Sequence, residues 1–285
     1  MSGNFRGRLS LSAHKSVSAE KSVPGRSWLK CRPVAVGGTS GQNVVENQNF
    51  ESLVDTNDAW ITKRTGIKRR HFLAPGSSLR KIASDSALQA LSSAKISPAD
   101  IDLLILATSS PDDLFGDAAA VASSIGATNA AAFDLTAACS GFLFSMVTAA
   151  QYLNSGGFQK ALVVGADALT RFIDWKDRGS CILFGDGAGS MILEATNDAQ
   201  ESGFLGFSLK SDGLGSCNLR IPFQSDFQEL TNEAKTVVDQ GAYGKMHMNG
   251  PEVYMFAVNK VTNFDTIFLY TNKIHSRSLR LSMMQ

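Results

Sequence analysis

The segment Phe133-Asp-Leu-Thr-Ala-Ala-Cys139-Ser-Gly-Phe142 constrains the fold more than any other stretch. Its apolar start reads as a strand and its small residues as a tight turn, after which the cysteine opens a predicted helix. Phe142, Leu143, Phe144, Met146, Val147, Ala149, Ala150 and Leu153 leave that helix no wide polar face, so burial is expected nearly all round. Asn154-Ser-Gly-Gly157 stops it. A thiol at the start of such a helix faces unpaired N–H groups and the positive end of the helix dipole. Both favour thiolate over thiol, which makes Cys139 the candidate nucleophile. The competing reading is a packed core cysteine, and the strand-to-helix position followed by Ser-Gly favours chemistry.

Around this segment the pattern is α/β. Leu103-Leu-Ile-Leu-Ala-Thr108 is a continuous apolar run, predicted to be a buried parallel strand. Phe133–Leu135, Ala161–Gly165 and Met191–Leu193 read as further strands. The spacing predicts a helix over Ser78–Ala94, with Leu79, Ile82, Ala83, Ala87, Ala90 and Leu91 on one face. Ser97-Pro98 reads as an N-cap followed by Pro at the first helical position. Strands alternating with buried helices imply a sheet covered on both faces. A first strand is expected from Cys31 to Val36, with Gly37-Gly-Thr-Ser-Gly41 as a turn. Gly185-Asp-Gly-Ala-Gly189 lacks phosphate-loop spacing and is read as a turn between strands, and Ser211-Asp-Gly213 as another.

At 285 residues and 44% apolar content the chain can bury a sizeable core, while a net charge of +1 provides no global field to recruit nucleic acid. Cys31, Cys139, Cys181 and Cys217 have no paired metal spacing, so no metal site is expected. They are read as reduced thiols, with Cys181 and Cys217 structural. No apolar run reaches the roughly 18 residues that a membrane span needs. Residues 1–30 hold seven serines, six Lys or Arg and the single acid Glu20. That composition resembles an organellar transit peptide, with an unaddressed basic tail as the alternative.

The Cys139 segment resembles the nucleophile segment of the 3-oxoacyl-[acyl-carrier-protein] synthase III enzymes of the thiolase superfamily. Val54-Asp-Thr-Asn-Asp-Ala-Trp-Ile-Thr-Lys-Arg-Thr-Gly-Ile67, Asp174–Gly189 and Met248–Val258 agree with the family in order and approximate spacing. The resemblance covers residues 31–261 and implies a layered α/β/α/β/α fold of two similar halves. The first half would span 31–195, and the second would begin within 196–261 and remain incomplete, with 262–285 an unmatched tail.

The resemblance further implies a chemistry. Cys139 would take an acyl group from a short acyl-CoA, typically acetyl-CoA. Condensation with malonyl-acyl carrier protein would then release CO2 and initiate fatty-acid biosynthesis. No metal or redox cofactor is implied, and CoA thioester enters only as substrate. Trp60 and Arg178 match the pair that sandwiches the adenine of CoA, and Thr56 and Arg64 fall in the same block at the CoA entrance. Arg64, Lys68, Arg69 and Arg70 form a local basic cluster suited to CoA phosphates or an acidic carrier protein, with a solvated basic face as the equal alternative. A homodimer located in a plastid is implied, with the cytoplasm or another organelle as alternatives.

The family's His-Gln-Ala-Asn and Asn-x-Gly-Asn-Thr-Ser segments have no counterpart in the sequence. His247 lies upstream of the expected histidine and His275 sits in the unmatched tail. Condensation is therefore expected to be impaired more than acyl transfer. Two further readings stand beside this one: a thiolase-superfamily acyltransferase using another acyl-CoA, and a non-catalytic CoA-binding or dimerising fragment.

Overall fold

The structure, a computed structural model, describes residues 29–197, 203–204, 207, 209–230 and 236–259. The basic leader up to residue 28 and the tail 262–285 with His275 lie outside the described residues. In chain order the main elements are β1 (Cys31–Ser40), β2 (Asn43–Glu46), α1 (Asp58–Thr65), β3 (Arg69–Phe72), α2 (Leu79–Ala94), β4 (Leu103–Ala107), α3 (Ala118–Ile125), β5 (Ala131–Leu135), α4 (Gly141–Asn154), β6 (Lys160–Ala168), α5 (Arg178–Cys181) and β7 (Asp186–Ala195). Short strands follow: β8 (Leu219–Arg220), β9 (Phe223–Gln224), β10 (Phe227–Glu229), β11 (Val237–Asp239), β12 (Ala242–Tyr243) and β13 (His247–Met248). Among the described residues no helix is long and apolar enough to cross a membrane.

A five-stranded sheet in the order β1-β7-β6-β4-β5 organises the molecule. β4 runs parallel to both β5 and β6, whereas β7 is antiparallel to β6 and β1. Alternation along β4 and β6 divides the core between two faces. Leu104, Leu106, Leu162 and Val164 pack with α2 and α3, while Leu103, Ile105, Ala161 and Val163 pack with Ala149, Ala150 and Leu153 of α4. The continuous apolar run thus forms a central strand buried on both sides, as expected. Helix α2 begins at its Ser78 cap, whose side chain accepts from the Lys81 N–H, and buries the predicted face.

Three expectations are corrected. The Gly37–Gly41 stretch is not a turn: β1 continues to Ser40, and Gly37 lets the strand lie against the α2 backbone. The Gly185–Gly189 stretch is not a turn either, because β7 begins at Asp186 and pairs on both edges through Gly187 and Gly189. Helix α4 is buried on one side only. Gly141, Ser145, Ala149, Ala150 and Leu153 are buried, whereas Leu143 is 49% and Tyr152 40% exposed. Its apolar composition reflects a sheet-facing side together with an outer side that the described elements leave open. Smaller readings stand close to expectation: Pro98–Asp100 is a single 3₁₀ turn with Pro at its start, and the Asp212 side chain accepts from the Leu214 N–H in a tight turn.

Candidate active site

Cys139 sits where β5 passes into α4, in a short 3₁₀ turn (Ala138–Ser140), two residues before the helix proper. Ala138 has a left-handed φ of 49°, a sharp bend for a residue with a Cβ. No side chain caps the first turn of α4, so the helix presents its N-terminal N–H groups beside the thiol. Glycines seat this helix start closely. A Cβ on Gly165 would come within 3.0 Å of the Phe142 ring, and one on Gly141 within 3.3 Å of the Ala107 methyl.

The four thiols divide by exposure. Burial pushes Cys31 up to about 11 and also raises Cys181, in both cases away from the thiolate form. Cys139 and Cys217 are exposed, which corrects the structural reading of Cys217. Of the four, only Cys139 lines the cavity of about 900 Å³ on this side of the sheet. The wall is mostly apolar, with Leu135, Leu169, Phe172 and Ile221 among its residues, and the volume suits a small ligand. Among the described residues no histidine lines it, and His247 lies outside on β13.

Carboxylates hold the loop that forms one rim. Asp134 accepts from the Asp117 N–H (3.0 and 2.9 Å) and the Ala118 N–H (2.7 Å) at the start of α3. Asp167 accepts from the Ser109 N–H (2.9 Å), the Ser110 hydroxyl (2.8 Å) and the Thr108 hydroxyl (3.3 Å). Asp112 accepts from the Leu79 and Arg80 N–H groups at the start of α2 and pairs with Arg171 at 2.6 Å. The base of the rim is fixed while its tip, Leu114 and Phe115, stands 83% and 100% exposed. Asp134 lies inside the nucleophile segment, and Asp167 is a carboxylate in an apolar strand, a rare placement that signals a bound partner. Neither was singled out from sequence.

Burial raises the Asp167 carboxyl above the ordinary carboxylate range, its three donors pull it back, and nearby Asp186 pushes the same way as burial. A carboxyl raised in the folded state contributes stability below the unfolded-state value, and this contribution is lost as pH rises through the folded one. Asp167→Asn, which keeps an acceptor for the same donors, should therefore gain on the parent protein as pH rises from 4 to 7. Urea midpoints across that range measure the gain; a pH-independent difference would contradict it.

The predicted CoA residues gather at a second place. The guanidinium groups of Arg64 and Arg178 lie 4.5 and 4.8 Å from the Trp60 ring centroid, a doubly stacked cation–π arrangement. Arg178 also donates to the Asp55 carbonyl at 2.8 Å, next to Thr56, whose hydroxyl is buried without a hydrogen-bond partner among the described residues. Asn57 caps α1 by accepting from the Trp60 N–H, which sets the indole on the first turn. Arg64, Lys68 and Arg69 are exposed, but Arg70 is not part of the basic cluster. Its guanidinium is buried, donates to the Asn47 side chain and the Ile182 carbonyl, and stacks on Phe50. In β3 it points inward, as strand alternation requires. The structure therefore unites Trp60, Arg64, Arg178 and Thr56 and places Cys139 in the separate cavity. Leu169, Phe184, Leu219, Ile221 and Met246 border both, since they belong to the apolar cluster that includes Trp60 and also line the cavity.

The profile of the 3-oxoacyl-[acyl-carrier-protein] synthase III family matches residues 133–213, which include Cys139 and Arg178. A beta-ketoacyl-[acyl-carrier-protein] synthase III of Thermosynechococcus vestitus is 50% identical, over 79% of this chain and 67% of its own length. One from Porphyra purpurea is 50% identical, over 76% of this chain and 65% of its own. The crystal structure of 3-oxoacyl-(acyl carrier protein) synthase III from Pseudomonas aeruginosa PAO1 superposes with a TM-score of 0.73 at 31% identity, covering 86% of this chain and 71% of that one. The chain spans about two thirds of the length of the relatives it matches. The α/β fold is thus thiolase-like, as expected, and the chain belongs to the 3-oxoacyl-[acyl-carrier-protein] synthase III family.

Proposed function

We propose that this protein is an acyltransferase of fatty-acid initiation, in which Cys139 accepts a short acyl group from acetyl-CoA. The thiolate attacks the thioester carbon and the CoA thiolate leaves, storing the acyl group as a second thioester. Malonyl on the acyl carrier protein then loses CO2, and the resulting enolate carbon attacks the acyl-cysteine. Expulsion of the Cys139 thiolate leaves a 3-oxoacyl chain two carbons longer on the carrier. One observation carries this reading: an exposed cysteine at an unfilled helix start opens into a ligand-sized cavity beside a Trp60–arginine stack.

The finer parts of the reading have separate supports. Arg64, which stacks on Trp60, is exposed together with Lys68 and Arg69, and these cations suit an acidic carrier. Among the described residues β5 is the outermost strand of its sheet, and an unpaired edge favours pairing with a second copy. The similarity to the Porphyra purpurea protein supports a plastid location.

The open outer side of α4 favours a second reading, a CoA-binding subunit that pairs with another polypeptide. Acetyl-CoA, malonyl-carrier and the purified protein, followed by mass analysis of the carrier, separate the two. A 3-oxoacyl-carrier product supports condensation, and an unacylated Cys139 with no product supports the second reading.

A further inference from the structure

We infer that Asp167 is a positioning residue for Cys139, holding the nucleophile turn in place through Ser109 and Thr136; this rests on the reading of Cys139 as the acyl acceptor. The parallel strands β5, β4 and β6 are neighbours in the sheet and end side by side at the cavity. Leu135, Thr108 and Asp167 line it there. One oxygen of Asp167, Oδ1, accepts from the Ser109 N–H and from the Ser110 and Thr108 hydroxyls, all in the segment that follows β4. The Ser110 hydroxyl accepts in turn from the Ala168 N–H at 2.7 Å, which closes the link back to β6. The same segment reaches across to β5. The Thr108 N–H donates to the Leu135 carbonyl at 3.1 Å, and the Ser109 and Thr136 hydroxyls share a hydrogen bond of 3.2 Å.

Thr136 directly precedes the turn that carries Cys139, and this turn needs an anchor. Ala138 holds a left-handed φ of 49°, a conformation that persists only where the surroundings fix it. Asp134, the nearest carboxylate in the chain, bonds to the start of α3 instead. Among the described residues, the Ser109–Thr136 contact is the one hydrogen bond made by a side chain of residues 136–140. Removing the Asp167 acceptor frees the segment after β4 and, through Thr136, the turn. The sulfur then leaves the N–H groups at the start of α4, which favour its reactive form. Asp167 Oδ2 takes part in none of these bonds, so an amide nitrogen in its place disturbs none of them.

Peptide-resolved alkylation of the full chain by iodoacetamide at pH 7 tests this, since it reads all four thiols together and needs no acyl-CoA. In Asp167→Ala, Cys139 should react about tenfold more slowly, within the range that a small misplacement of a reacting group costs. Losing a negative charge from the same cavity would by itself favour thiolate and speed the reaction, so slowing reports position. Asp167→Asn should recover most of the lost rate. Thr136→Val, which keeps the side-chain shape and leaves Asp167 intact, should slow Cys139 about threefold, the scale of one hydrogen bond. Exposed Cys217 should keep its rate throughout, and buried Cys31 and Cys181 should stay protected. An unchanged Cys139 rate in Asp167→Ala or Thr136→Val would overturn the proposal, as would an Asp167→Asn variant as slow as Asp167→Ala. Reactive Cys31 and Cys181 in Thr136→Val would assign the contact to the fold as a whole and overturn it equally. Should Asp167→Ala fail to fold, Thr136→Val decides alone. Acetylation of the parent by acetyl-CoA is measured beside these rates, so failure of the acyl-transfer reading and failure of the positioning contact remain distinguishable.

Discussion

Gly37→Ala is expected to destabilise the protein by about 3 kcal/mol or more, because the new methyl meets backbone on one side. A Cβ there would lie 2.1 Å from the Ser86 carbonyl oxygen and 2.7 Å from the Ala90 nitrogen, both in α2. The Ser190 hydroxyl, at 2.9 Å, closes the third direction. Helix α2 has no room to retreat, since Ile82, Ala83, Ala87 and Ala90 are fully buried against the sheet. Gly38→Ala is the matched control: its Cβ would come no nearer than 3.8 Å, to the Ala188 carbonyl oxygen. Chemical denaturation of both variants reads the difference, and equal losses would contradict the close strand-to-helix approach.

Trp60→Ala is expected to weaken CoA binding by about 5- to 150-fold, the range for one lost base–aromatic stack. Both guanidinium groups lie close to the Trp60 ring centroid, at 4.5 Å for Arg64 and 4.8 Å for Arg178, where an adenine would stack. Pantetheine, which has no adenine, should bind the variant as it binds the parent. A calorimetric comparison of the two ligands makes the test, with Trp60→Phe expected to retain part of the CoA affinity. An equal loss for both ligands would show that Trp60 acts only through packing, since the indole also joins the cluster around Phe50 and Ile61.

Much of the fold was legible where one physical rule dominated. Leu103–Ala107 is apolar at every position, and only a central strand covered on both faces satisfies that pattern. The α2 face was equally clear from its 3.6-residue spacing. Glycines were the weak point, because flexibility and lack of volume look identical in a sequence. Gly37 and Gly187 serve strand packing and pairing, and a glycine-rich run was read as a turn in both places. Helix α4 misled for a related reason, since composition shows that a face is apolar and not what lies against it.

The site divides in the same way. Cys139, Trp60, Arg64 and Arg178 stood in blocks whose order carried them, and the structure places the last three in one stack. Arg70 adjoined a basic run, yet strand alternation turns it inward to Asn47. Asp134 gave no local signal, because what brings it to one cavity wall with Asp167 is the sheet order. A carboxylate in the apolar β6 run was the one clue available beforehand.

Intact-mass analysis of the purified protein after exposure to acetyl-CoA, beside Cys139→Ala, tests the central claim most directly. The account predicts one acetyl group on the parent protein, mapped to the Cys139 peptide and absent from the variant. No acetyl group on the parent would contradict it, and so would an equal adduct on the variant, with exposed Cys217 the first alternative acceptor to examine.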